Sequence, residues 1–225
     1  MIRRLLALVA ISLSITASAQ TTDFGMWNTV SLNKELSDKF TVGLDQELRL
    51  RENCSTINLI YTNIGGSYKV TDWFKVGLTY RFIDKHKDDY TWGQRHRVYV
   101  DLTFKVKPAK FAIAYRARFQ SEWYGNGYTQ EFGNIPEVFM RNQVKVGYKA
   151  SDKVEPYVGC EIRFQFENPR NHYPNTLDRG RYFAGVNYEI NKHHIVGAYF
   201  LLQKEVNVND PETLNILGLE YTLNL

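Results

Sequence analysis

The chain has 225 residues, 44% of them hydrophobic and 14% aromatic, with 2 cysteines and a formal charge of +4. The aromatic content excludes a disordered chain, the cysteine count excludes a disulfide scaffold, and the length suits one all-β domain. Mean hydropathy is −0.39, and no apolar run of about 18 residues lies beyond the N-terminus, which excludes a membrane protein built of helices.

The N-terminus reads as an address. Met1-Ile2-Arg3-Arg4 is a basic head, Leu5 to Ile15 is almost wholly apolar, and Ala17-Ser18-Ala19 is a small-x-small cleavage site. That order is a secretory signal peptide, so residues 1–19 are expected to be removed and 20–225 to form a single outer-membrane barrel domain. Without Arg3 and Arg4 the surplus charge falls to +2, which gives no reason to expect a nucleic-acid partner. No cysteine follows the cleavage site, so a lipoprotein anchor is not expected.

The rest of the chain alternates. Met26–Leu36 does so poorly, with Trp27, Thr29 and Ser31 opposing Met26, Asn28, Val30 and Leu32. Phe40–Arg51 does so over its full length, with Phe40, Val42, Leu44, Gln46, Leu48 and Leu50 on one face and Thr41, Gly43, Asp45, Glu47, Arg49 and Arg51 on the other. Ile57–Val70 is weaker. Phe74–Phe82, Arg95–Val106 and Phe111–Glu122 repeat the pattern, and Val138–Lys149, Val154–Phe166 and Arg179–Ile190 follow with blemishes. His194–Glu205 is weak, and Thr213–Leu225 ends on Leu219, Tyr221, Leu223 and Leu225. Period two over a full segment means one apolar and one polar face.

The connections alternate as well. Ser37–Lys39, Thr71–Trp73, Lys107–Lys110, Ser151–Lys153 and Asn191–His193 are tight, whereas Glu52–Thr56, Asp84–Thr91, Trp123–Ile135, Glu167–Leu177 and Val206–Glu212 are longer and polar. Short turns at one end and longer loops at the other describe an all-β, transmembrane, antiparallel up-and-down barrel with periplasmic turns and extracellular loops, as in a Gram-negative outer membrane. A secreted β-sandwich would also alternate, but its strands are about 5–6 residues long rather than 10–14. Aromatics also gather at both ends of the apolar face. Tyr68, Trp73, Phe74, Phe104, Phe111, Tyr148 and Tyr188 lie near the turns, and Tyr80, Phe82, Phe119, Phe139, Phe164 and Tyr182 near the loops. Such girdles suit membrane interfaces. The closing segment Gly218–Leu225 resembles the terminal strand signal read by the barrel-insertion machinery.

Trp27, the Gln46-Glu47-Leu48-Arg49 segment and the recurrent arginine-bearing strands resemble the DUF2490-type family of small bacterial outer-membrane barrels. The resemblance spans almost the whole mature chain; it implies a fold and a location and supplies no catalytic residues. About eleven segments can be counted, whereas single-chain bacterial barrels have even strand numbers. Two alternatives stand open: the first segment lies partly inside a ten-stranded wall, or one strand escapes notice, within a range of about 10–12.

In this topology the arginines sort to the inward face toward the loop end: Arg49, Arg51, Arg81, Arg95, Arg97, Arg116, Arg118, Arg141, Arg163, Arg179 and Arg181. Inward carboxylates include Asp45, Glu47, Asp101, Glu122 and Glu161, and inward glycines such as Gly43, Gly65, Gly77 and Gly218 mark a roomier tier toward the turns. Two readings follow. A salt-bridged network fills the bore, since arginine binds carboxylates bidentately; or a ring of fixed charge lines a narrow anion-selecting pore. The near balance of carboxylates and arginines favours the network.

Neither a cofactor nor a metal is expected: His193 and His194 point to opposite faces, and Cys54 and Cys160 have no ligand spacing and are not expected to pair. A lipid-modifying enzyme would need a histidine and a serine near a carboxylate; His96 with Ser121 and Glu122 is the best such set, though Gln94-Arg95-His96-Arg97 lacks the Asn-His-x-Ser pattern of outer-membrane phospholipases. The aromatic Trp123–Phe132 loop suits a cover for the barrel mouth, or a surface for ligands. The reading adopted is a monomeric, non-catalytic, porin-like barrel in contact with outer-membrane lipids, structural or passively conducting.

Overall fold

A computed structural model describes residues 21–87, 91–125, 135–168 and 175–225. The segment expected to be a leader, Arg170, His172 and most of the Trp123–Phe132 loop fall outside the described residues.

Among the described residues eleven strands form one closed barrel: β1 (Thr21–Glu35), β2 (Phe40–Arg51), β3 (Thr56–Lys69), β4 (Phe74–His86), β5 (Trp92–Val106), β6 (Phe111–Tyr124), β7 (Glu137–Tyr148), β8 (Val154–Glu167), β9 (Thr176–Glu189), β10 (His194–Glu205) and β11 (Glu212–Asn224). Consecutive strands pair antiparallel, and the circle closes where β1 pairs with β11 in parallel, from Thr21↔Glu212 to Asn33↔Asn224. This corrects both alternatives for the first segment. It is a full member of the wall, no strand is missing, and the count is odd. In an odd meander the first and last strands run the same way, so the closing pair can only be parallel.

The seam is backed by apolar side chains on the lumen side. Trp27, Leu201 and Ile216 are buried together, with Phe183, Tyr199 and Leu214 against them. The β1 end at the loop side is also pinned, because the Asp23 carboxylate accepts the backbone N–H groups of Glu52 at 2.8 Å and Asn53 at 3.0 Å. Both donors lie in a run of left-handed residues, Glu52 to Cys54; such a run turns successive N–H groups to one side and makes a pocket for an anion.

Local chemistry sets the tight turns. Ser37, Thr71, Ser151 and Asn191 each accept, through the side-chain oxygen, the N–H of the residue three further on: Phe40, Phe74, Val154 and His194. These side chains mimic a backbone turn and fix the register of the following strand. In the β5–β6 turn Ala109, after Pro108, takes a positive φ of 50°.

The apolar face points outward. Ile64 is 61% exposed, Leu78 58% and Val158 58%, values that a soluble sandwich would not tolerate over a whole wall and that suit hydrocarbon contact. Near the turns Trp73, Phe74 and Phe104 stack, with centroids 4.7–6.0 Å apart. Phe139 is an exception to the expected girdle. It faces the lumen and is only 3% exposed, because β7 keeps it on the same face as Arg141. Several strands also run further than the alternation suggests: Asp84–His86 belong to β4, and Trp123 and Tyr124 to β6.

Candidate functional site: the arginine-lined lumen

The inward face of every strand meets its neighbours across the bore, and charge arranges them. The Glu161 carboxylate on β8 accepts Arg141 Nε at 3.0 Å and Nη2 at 2.5 Å, Arg116 Nη2 at 2.9 Å and Arg181 Nη1 at 3.2 Å. Glu122 on β6 binds both Arg95, at 3.0 Å, and Arg97 Nε, at 2.6 Å. Arg118 grips Asp101 with two bonds of 2.7 Å. Arg163 grips Asp178 at 2.9 and 2.6 Å, and Arg179 pairs with Glu205. Charge-assisted, bidentate geometry of this kind is about twice as strong as a neutral hydrogen bond.

On the other wall Arg49 pairs with Glu47, which also accepts Thr29 Oγ1 at 2.8 Å and the Tyr61 hydroxyl at 2.5 Å. Arg81 donates to Asn63 at 2.6 Å, and Asn63 donates to Asp45 at 2.9 Å. Arg51 lies at the rim, 3.3 Å from Glu52. The sixteen lumen residues singled out by the alternation thus all line the bore, but in separate clusters on neighbouring strands. Arg116 sits lower than its companions, lining both the middle and the turn-end spaces.

A second arrangement ties part of the circle together. Arg181 of β9, Trp27 of β1, Arg49 of β2, Tyr61 of β3, Arg81 of β4, Tyr99 of β5 and Arg118 of β6 alternate cation and ring around the wall. Each guanidinium carbon stands 3.5–5.8 Å from the ring centres beside it. Such contacts contribute about 0.5–2 kcal/mol each, more as water is excluded. Trp27, Tyr61, Tyr99, Asn63, Asp178 and Gln203, which accepts Arg181 Nε at 2.8 Å, are the members not singled out from the sequence. The rings lie on the inward parity of their strands, and that parity was the available signal.

Open space lies among these clusters. A cavity of about 630 Å³ lies at the loop end, one of about 360 Å³ in the middle and one of about 820 Å³ at the turn end. The middle space shares Trp27, Arg49 and Arg181 with the upper one, and Asp45, Arg116 and Lys145 with the lower. Gly43, Gly65 and Gly77 line the lower space, where Lys75 and Lys145 also reach it. Lys145 Nζ rests on the Tyr157 ring at 3.5 Å.

The histidine set does not assemble. His96 faces outward, its Nδ1 2.7 Å from the Tyr80 hydroxyl. Ser121 is on the same outer face, paired in register with Val98, whereas Glu122 is inside with Arg95 and Arg97. The wall separates carboxylate from serine. His194 stacks on Tyr221, 2.6 Å from its hydroxyl, while His193 lines the lower cavity. Cys54 and Cys160 are both free.

The fold resembles that of a solved porin. A structure of the NanC porin in a rhombohedral crystal form matches with a TM-score of 0.54 and 10% identity, covering 90% of this chain and 99% of that one. A bacterial polysaccharide outer membrane secretin matches with a TM-score of 0.46 and 11% identity, covering 80% and 73%. At such identities the likeness concerns the fold alone. No curated protein matches the sequence. The sequence profile of the family described as "Protein of unknown function (DUF2490)" matches residues 24–213, from β1 into β11, and the chain belongs to that family.

Proposed function

We propose that this protein is an outer-membrane channel, passing small anions through a narrow lumen rather than transforming a substrate. The observation that carries the reading is open space above, at and below the arginine level, in three adjoining cavities that share lining residues. A barrel of about eight strands fills its bore with side chains, and one of sixteen leaves a wide channel; eleven strands with glycine on the lower wall fall between. At the waist Arg49, Arg81, Arg116, Arg118, Arg141 and Arg181 outnumber Asp45, Glu47, Glu161 and Glu220, and rings of fixed positive charge favour anions. The leader-like N-terminus, the apolar exterior and the aromatic turn-side belt support the location.

The test is conductance of purified, folded protein in planar bilayers under a salt gradient. Discrete steps with a reversal potential on the anion side are expected, and replacing Arg49 and Arg181 with Gln lowers that preference. Silence across repeated incorporations would defeat the channel reading and leave the paired carboxylates as an internal brace.

A further inference from the structure

The outer face carries a feature that lipid cannot satisfy. Asn28 of β1, Gln46 of β2 and Thr62 of β3 point outward from three adjacent strands, at similar heights. Asn28 stands seven residues above Glu35, Thr62 seven above Lys69 and Gln46 six above Phe40. Around them the wall is apolar: Asn28 is in register with Leu48 and Leu219, and Gln46 with Val30. Thr62 Oγ1 donates to Gln46 Oε1 at 2.7 Å, and among the described residues the Gln46 NH₂ meets no acceptor. Acyl chains offer that NH₂ no acceptor, and an amide in hydrocarbon without one costs several kcal/mol.

We propose that this β1–β3 face is where a second copy of the chain docks in the membrane. The arrangement is self-complementary about a two-fold axis along the membrane normal through β2. Such an axis sets Gln46 against Gln46 of the second copy, and an amide both donates and accepts. It also sets β1 against the second copy's β3, so Asn28 meets Thr62 at matched height, twice by symmetry. Polar side chains join membrane segments in this way because the alternative is an unsatisfied group in lipid. The proposal departs from the expected monomer and accounts for the poor alternation of the first strand, since Asn28 sits where lipid contact calls for an apolar residue.

Among the described residues one other outward-facing amide lies at this depth. Asn142 of β7, six residues above Tyr148, accepts the Tyr115 hydroxyl at 2.7 Å. It is flanked in register by Ala117 and Ile162, so a two-fold axis there would pair one amide and add no polar match between the flanking strands. Asn142 is the internal control.

The experiment is energy transfer between two labelled populations of the full barrel, labelled at Cys54 in a Cys160→Ala background, in phosphatidylcholine vesicles at increasing protein density. Transfer above random proximity is expected. The Asn28→Leu, Gln46→Leu double variant weakens association by about tenfold or more, and Asn142→Leu leaves it unchanged. Leucine on the lipid face favours folding, and circular dichroism confirms that the variant barrels are intact. Separately, Gln46→Cys chains that keep Cys160 crosslink on oxidation through the introduced thiol and not through Cys160, which lies on the lipid face of β8. Transfer at the random level, undiminished association in the double variant, loss of association in Asn142→Leu, or crosslinking through Cys160 would each overturn the proposal.

Discussion

Glu161→Gln removes one negative charge from the most crowded cluster of the lumen. Glu161 is 3% exposed, while its partners Arg141, Arg181 and Arg116 are 11%, 10% and 24% exposed. At an effective dielectric constant of about 20, charges roughly 4 Å apart attract by about 4 kcal/mol, so the gross interaction with three guanidiniums is large. Desolvating the carboxylate offsets most of it, and breaking a buried pair typically costs about 3–5 kcal/mol net. The arginines border open lumen and can rehydrate from it, which places the expected loss near the lower figure, about 3 kcal/mol. Urea unfolding in lipid vesicles, followed by tryptophan fluorescence, measures it, with an unchanged urea slope showing that the same surface is exposed. The same substitution adds net positive charge at the waist, so the anion preference of the conductance rises. A midpoint within about 0.5 kcal/mol of the parent would mean that Glu161 and its arginines do not brace the wall, and the lumen clusters would lose their structural meaning.

Other outcomes follow from the same coordinates. A Cβ at Gly218 would collide with the Tyr199 ring, whereas one at Gly180 would meet only Tyr182 atoms at 3.8 Å and beyond; Gly218→Ala is expected to cost about 1–3 kcal/mol and Gly180→Ala nothing measurable in the same unfolding assay. Tyr61→Phe deletes the hydroxyl donating to Glu47 but keeps the ring beneath Arg81, so a loss of about 1.5–3 kcal/mol is expected, with a further loss in Tyr61→Leu. His96→Ala removes an outward ring held by Tyr80, and mass spectrometry of membrane lipids from cells carrying it should match the parent. In the β7–β8 turn a hydrogen bond from the Lys149 ammonium, 2.8 Å away, and its charge hold the Asp152 carboxyl below its ordinary range. That stabilisation is present above the usual carboxylate pKa and fades as pH falls through the lowered one. Because the pair is fully exposed, Asp152→Asn leaves the unfolding midpoint at neutral pH where it was.

Most of the wall is legible in the sequence because hydrocarbon outside and water inside impose opposite demands on alternate residues. Phe40–Arg51 obeys both at every position but Gln46, and β2 begins and ends at those residues. Legibility fails where one face breaks its rule. In β10, Leu201 and Tyr199 are inward but apolar because they pack behind the seam, so His194–Glu205 is apolar on both faces and its period fades. In β1 the outward Asn28 does the same from the other side. Phe139 misleads for a related reason: an aromatic near a strand end suits a girdle, but inside it seats the Arg163 guanidinium at 4.2 Å. The arginines could be placed on the inner face by parity, yet their partners could not. Whether Arg163 meets Asp178 or another carboxylate depends on stagger between strands, and the register slips between Arg163 and Phe164.

Eleven segments could be counted, but how eleven strands close could not be read, for a deeper reason. Period two is blind to chain direction, so alternation locates strands without revealing how the circle closes. Direction enters only through the connections: a tight turn follows β1 and a long loop precedes β11, which makes both run from the loop end toward the turns. A parallel pair is held somewhat less firmly per residue than an antiparallel one, and the chain compensates at this one joint with Trp27, Leu201 and Ile216 on the inside. Trp27 serves twice there, since its ring is opposite Gly218 in the seam and beneath Arg49 in the lumen. The residue that closes the barrel is therefore also the one that seats the first arginine of the waist.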